Sequence, residues 1–272
     1  MTQANPSDRS TRPTLVVPAR FRGPASSGNG GWVAGALARH VRGAAAVRVR
    51  LSSPPPLDVP MDVALLDDAA IDSAAPDRDA AAVRLVHDGH VVAQASAATA
   101  GDAAPYADPD AFVTREDAAR AAAHYPGAQD HPFPSCYVCS PVRADGLRLA
   151  PGRLPAGEAG RTATPWTPDA SVDRGDGLVD EPTLWAALDC PGGWTFDVVG
   201  RPMVLGTMTA VLGRRPAVGE PCVVTGTARG TQGRKALSTT TLWSADGERL
   251  AHAAAVWILV DPASIVPVTP GA

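Results

Sequence analysis

Apolar residues in this chain fall in short runs of three kinds, and the kinds recur in one order. "TLVVPARF" (Thr14 to Phe21) is a short apolar run that reads as an opening strand. "GGWVAGALARHV" (Gly30 to Val41) follows with the spacing of an amphipathic helix, and its two leading glycines mark a helix start. "AVRVRLSSPPPLDVPMDVAL" (Ala46 to Leu65) reads as a strand, a proline-bearing turn and a second strand. "VRLVHDGHVVAQASAA" (Val83 to Ala98) reads as two strands about an Asp-Gly turn, a strong hairpin signal.

The same series returns downstream. "GRTATPWTP" (Gly160 to Pro168) is a strand, with "GLRLAPG" (Gly146 to Gly152) before it, and "EPTLWAALD" (Glu181 to Asp189) is the helix. "TMTAVLGRRPAVGEPCVVTG" (Thr207 to Gly226) repeats the strand, proline turn and strand, and "TTTLWSADGERLAHAAAV" (Thr239 to Val256) repeats the Asp-Gly hairpin. Three matches in one order predict an internal repeat. Each half is a strand, a helix and about four antiparallel strands, an α+β layout in which a sheet covers a helix. The expected units are 14–100 and 146–262. Between them, 101–145 is a linker with a Pro/Asp-rich stretch ("AAPYADPDAF"), a short helix from Thr114 to His124 with a capping box at Thr114 and Asp117, and the loop "YPGAQDHPFPSCYVCSPVRADG".

Composition narrows the function classes. The chain has 272 residues and a formal charge of −4 without a dense basic run, so nucleic acid and anionic membrane surfaces are not expected partners. No apolar run reaches membrane-spanning length. The polar N-terminus "MTQANPSDRSTRP" has no signal core and reads as a disordered tail. The expected compartment is the cytoplasm, with four cysteines as thiols. Much Ala, Arg, Gly and Pro with little Lys suggests a GC-rich bacterial genome.

A strand, a glycine-rich helix start, an apolar helix and antiparallel strands with a "DG" hairpin are similar to the hotdog fold. Two copies resemble the double-hotdog acyl-CoA thioesterase-like superfamily over roughly 14–100 and 146–262. The resemblance implies two tandem hotdog domains forming a pseudo-dimer, with a continuous antiparallel sheet and two central helices. It implies acyl thioesters of coenzyme A or acyl carrier protein as substrates, bound in the groove between the halves. Coenzyme A enters as part of the substrate, and no separate cofactor is expected. One chain then acts as a pseudo-dimeric monomer or joins a homodimer.

Phenylacetyl-CoA-type thioesterases in this superfamily carry His-Gly-Gly at the helix start and an Asp nine residues after the His. There the glycine-bearing backbone polarises the thioester carbonyl, and the Asp of the opposite hotdog is base or nucleophile. This chain departs from that pattern in both halves. The first reads Asn29-Gly30-Gly31, with Ala38 nine residues after Asn29. The second reads Asp180-Glu181-Pro182, with Asp189 nine residues after Asp180. The resemblance therefore implies one composite site: N–H groups of Gly30 and Gly31, with Asn29 as cap, facing Asp189. Pro191 is expected to end the second helix near Cys190. Asp189 would then stand at a helix C-terminus, where the dipole raises its pKa. A solvated or structural Asp189 is the competing reading.

Glu181 is an alternative acid, or simply a favourable charge in a first helical turn. Arg234 and Lys235, after Gly233, can meet the phosphates of coenzyme A or lie solvated at a turn. Cys136 and Cys139 have C-x-x-C spacing, but only His131 and His124 are near in sequence, and Cys190 and Cys222 stand apart. A loop-anchoring pair is therefore expected and no metal, in a segment able to serve as a lid. His40, His87, His90 and His252 show no triad or metal spacing. Gly-x-Ser-x-Gly and dinucleotide patterns are absent. Thioester hydrolysis is the leading activity; a non-catalytic acyl-CoA or lipid-binding module and a hydratase-like enzyme are the alternatives.

Overall fold

The computed structural model describes residues 13–66, 82–98, 110–155 and 160–261. The polar N-terminus before residue 13, residues 99–109 at the end of the first unit and the start of the linker, and Pro262 lie outside the described residues. The elements run β1 (Thr14–Val16), α1 (Gly30–Ala38), β2 (Val47–Leu51), β3 (Pro60–Leu65), β4 (Val83–His87) and β5 (His90–Ala97). Then follow α2 (Arg115–Ala122), β6 (Gly152–Arg153), β7 (Arg161–Trp166), α3 (Glu181–Ala187) and the one-turn α4 (Cys190–Gly193). The chain closes with β8 (Met203–Leu212), β9 (Cys222–Gln232), β10 (Lys235–Ser244) and β11 (Arg249–Leu259). No described helix is long and apolar enough to cross a membrane.

The eleven strands of the described residues join one sheet, in the order β1-β3-β4-β5-β2-β8-β11-β10-β9-β7-β6, and their pairings are antiparallel. Outward from the centre, the first half reads β2-β5-β4-β3-β1 and the second β8-β11-β10-β9-β7, the same positions in mirrored order, with β6 added at one edge. The halves meet where Val47 to Arg50 of β2 pair with Ala210 to Thr207 of β8. The Asp-Gly hairpins form as predicted between β4 and β5 and between β10 and β11. Asp88 and Gly89 both have positive φ, as a tight two-residue hairpin turn requires. The runs joined by proline-bearing turns are not hairpins. β2 pairs with β5 and β8, whereas β3 pairs with β1 and β4.

Strands facing the core alternate: Val47 and Val49 of β2 are buried while Arg48 and Arg50 are exposed. Helix α1 does not. Gly31 to Ala38 are all buried, so the expected amphipathic helix is instead apolar on every side. It lies between the sheet strands β2, β5 and β8 on one side and α3 on the other. The crossing is close because a Cβ on Gly31 would stand 3.0 Å from the Cα of Ala186, and one on Gly35 2.8 Å from the Cα of Pro182. In the predicted repeat, Gly31 matches Pro182 and Gly35 matches Ala186.

Three local expectations are corrected. Helix α3 ends at Ala187 with Leu188 as cap, short of Cys190. Pro191 belongs to the first turn of α4, where its missing N–H leaves no helical bond unmade. "GLRLAPG" is not a strand up to Gly152; Leu147 and Leu149 donate to the carbonyls of Tyr137 and Val138 instead, at 2.8 and 2.9 Å. The linker helix runs over Arg115–Ala122, capped by Thr114, whose side chain accepts from the Asp117 N–H. Ahead of it, the buried Asp110 accepts from Thr239, Thr241 and Arg229 at 2.9, 3.1 and 3.0 Å.

Candidate active site

The start of α1 is built around Asn29. Its side-chain oxygen accepts from the Trp32 N–H at 2.9 Å, the bond of an N-cap. Its amide nitrogen is left to donate, and it donates to Asp189 Oδ2 at 2.8 Å. The Gly31 N–H donates to the same oxygen at 3.0 Å. Two residues 158 and 160 positions upstream thus hold one carboxylate oxygen. The other, Oδ1, is buried without a hydrogen-bond partner among the described residues.

Asp189 is only 2% exposed. Burial pushes its carboxyl up to about 7; the Gly31 N–H pulls it down, the neighbouring Cys136 pushes it up and the Asn29 amide pulls it down. Asp189 directly follows Leu188, the cap of α3, in the break between α3 and α4, with φ −76° and ψ −82°. Gly31 is the one residue that fits opposite it, because a Cβ there would be 2.6 Å from the Cβ of Asp189 and 2.6 Å from the Trp185 carbonyl oxygen.

Asn29, Gly30 and Asp189 border one cavity of about 420 Å³, with Leu205 and Trp257 on its sheet wall. The loop of 131–139 supplies another wall through His131, Phe133, Cys136 and Cys139. That loop is tied to the first half by the Tyr137 N–H, which donates to the Arg22 carbonyl at 2.7 Å. The Tyr125 hydroxyl donates to the Cys139 carbonyl at 3.0 Å and secures its end.

The other predicted residues lie elsewhere. Glu181 is half-buried in the first turn of α3 and does not border this cavity. Arg234 and Lys235 stand at the β9–β10 turn beside a smaller cavity of about 100 Å³, together with Arg201. Met203 borders both cavities, which makes them neighbours. Arg234 also donates to the Leu259 carbonyl at 2.9 Å. Ala38, the counterpart of Asp189, is buried at the end of α1.

Cys190 is not isolated. Its Sγ is 3.6 Å from that of Cys136, and the sulfurs of Cys136, Cys139 and Cys190 all lie within 4.8 Å of one another. All three are buried free thiols on the cavity wall. Contact with Cys139 and Cys190 lowers the Cys136 pKa; burial raises that of Cys139, and contact with Cys136 raises that of Cys190. His131 shares the wall, but its Nδ1 accepts from the Phe133 N–H at 3.0 Å, which leaves the proton of the neutral ring on Nε2. The C-x-x-C spacing was the available signal for this cluster, and only the fold brings in its third member.

No protein-family model matches the chain, and no curated protein matches it. Solved structures do. A conserved hotdog-fold protein of unknown function from Alicyclobacillus acidocaldarius is 16% identical, with 94% of this chain and 96% of that one covered, at a TM-score of 0.58. A TesB protein from Mycobacterium avium subspecies paratuberculosis is 14% identical over 93% of this chain and 96% of its own, with a TM-score of 0.56. An acyl-CoA thioesterase II from Mycobacterium marinum is 14% identical over 91% and 92%, also at 0.56. These likenesses span nearly the whole chain and define its class: it has the hotdog fold.

Proposed function

We propose that this chain hydrolyses acyl thioesters of coenzyme A or acyl carrier protein, in a groove between two tandem hotdog units paired as a pseudo-dimer. One observation carries the reading: a buried carboxylate on a cavity wall, held through Oδ2 by Asn29 and Gly31 of the opposite half, with Oδ1 unpartnered among the described residues. The acyl-CoA thioesterase II from Mycobacterium marinum supports it at the level of fold.

In this mechanism Asp189 Oδ1 takes a proton from water as the water attacks the thioester carbonyl. Negative charge develops on the carbonyl oxygen, and the Gly30 N–H at the α1 N-terminus stabilises it. The adduct then collapses, the carbon–sulfur bond breaks, and the proton on Asp189 passes to the leaving sulfur, which departs as the free thiol. Gly31, whose N–H is engaged by Asp189, orients the acid and does not bind the oxyanion. The apolar wall takes the acyl chain. Arg234 and Lys235, with Arg201, meet phosphates of coenzyme A from the adjoining cavity. Both halves of the groove come from one chain, so a monomer suffices, and the cytoplasm, with its acyl-CoA pool, is where it acts.

Free-thiol release over a panel of acyl-CoA esters tests the reading. Asp189→Asn keeps the shape and should lower turnover at least ~100-fold, whereas Glu181→Gln should leave it within ~3-fold. An Asp189→Asn protein of undiminished activity overturns it. Acyl-CoA binding without release by the wild type would identify a binding module instead.

A further inference from the structure

The cysteine cluster has chemistry that thioester hydrolysis does not use. We propose that Cys136, Cys139 and Cys190 form a site for one zinc-class divalent ion, which clamps the loop of 131–139 to the turn after α3, beside Asp189. The proposal stands independently of the hydrolytic reading.

The geometry is that of a ligand set. Zinc bound at about 2.3 Å by tetrahedral thiolates places their sulfurs about 3.8 Å apart. Cys136 and Cys190 stand at 3.6 Å, and the third sulfur lies within 4.8 Å of both. Two donors come from a C-x-x-C loop and the third from the first residue of α4, 54 positions beyond Cys136. Three soft sulfur donors select zinc over hard cations such as magnesium or calcium. On binding, each thiol gives its proton to solvent as its sulfur–metal bond forms, with no change of oxidation state.

Cys222 shows how a cysteine used only for packing sits in this protein: it is buried in β9, outside the sulfur cluster. The protonation of His131 described above removes it as the fourth ligand in this ring orientation. The fourth position then falls to a water or a small ligand in the cavity that all three cysteines border.

The test uses the full chain, purified under reducing conditions. Metal analysis should find about one zinc per chain, and titration of the metal-free protein with Co²⁺ should develop a thiolate-to-cobalt charge-transfer band saturating at one equivalent. Cys136→Ser, Cys139→Ser and Cys190→Ser should each weaken binding at least ~10-fold, and Cys222→Ser should not. A wild-type protein that takes up no stoichiometric metal and develops no such band overturns the proposal, whether or not the variants fold. So does binding that depends on Cys222 as strongly as on Cys190.

Discussion

The two helix starts, Asn29-Gly30-Gly31 and Asp180-Glu181-Pro182, occupy matching places in the predicted repeat and perform the same capping task. Asn29 accepts from the Trp32 N–H at 2.9 Å, and Asp180 accepts from the Thr183 N–H at 2.7 Å. The difference is what remains after capping. An asparagine that caps through its oxygen still has an amide to donate, and Asn29 directs it to Asp189; an aspartate cap is acceptor only. The next positions diverge likewise. Gly31 offers an N–H and no side chain, while Pro182 offers neither an N–H nor the space. An acid held by donors at a helix start can therefore exist on one side only, and that is where the chain places its one carboxylate at the matching spacing.

The comparison breaks most severely at Gly31. Gly31→Ala puts a methyl group 2.6 Å from both the Asp189 Cβ and the Trp185 carbonyl oxygen. It should cost about 3 kcal/mol in urea unfolding. It should also abolish most thiol release. Pro182→Ala, at the equivalent position, should cost less than ~1 kcal/mol and leave release intact.

A subtler contrast separates the two caps. Asp180→Ala should lose about 1 kcal/mol, read as a shift of the urea midpoint, and Asn29→Ala more, since it also takes a donor from the buried Asp189 oxygen. Only Asn29→Ala should also slow turnover, by ~10-fold or more, because it alone releases the Asp189 oxygen. Equal turnover in both variants would mean that the Asn29 amide does not position the acid.

The smallest expected effect is a pH dependence confined to the second half's sheet. Thr241 donates to Asp110, so its contact with His252 Nδ1, at 2.8 Å, is donated by the ring. Nε2 is then the site that must protonate, and it is buried without a partner among the described residues. Burial lowers the His252 pKa, with Arg249 and Arg229 opposing protonation and Asp110 favouring it. A histidine whose folded pKa lies below its unfolded value leaves the unfolded state binding more protons, so stability falls as pH drops below about 6.5. Urea unfolding of wild type and His252→Gln at pH 7.5 and pH 5.5 should show the larger acid loss in the wild type, by ~1 kcal/mol or less. Gln94, the aligned position in β5, carries no titratable group, and Gln94→Ala should leave the pH slope unchanged.

Much of the sheet was legible because its signals are local. Alternation marks β2 and β3, and Asp-Gly turns mark both hairpins. The order of the repeat places α1 and α3 at equivalent points. Which strands pair was less legible, since β2 and β3 are joined by a turn that reads like a hairpin yet carries the chain to the other side of β4 and β5. The spacing that matched Asp189 to Asp180 found a residue that does border the cavity with Asn29 and Gly30. It did not reveal that Gly31 would bond to the acid, because that contact depends on how closely two helices cross. The amphipathic reading of α1 failed for the same reason: a helix buried from both sides has no polar face. Cys190 looked isolated because 54 residues separate it from Cys136, and only the break after Ala187 turns it toward the loop.

The sheet tapers at its ends. Its outermost strands are the three-residue β1 and the two-residue β6, and α2 packs against the latter. A sheet this wide would be a template for adding further chains if it ended in long flat strands with open amide and carbonyl rows. Strands of three and two residues expose few such groups, so the breadth that accommodates two helices and a cavity is achieved with little invitation to grow.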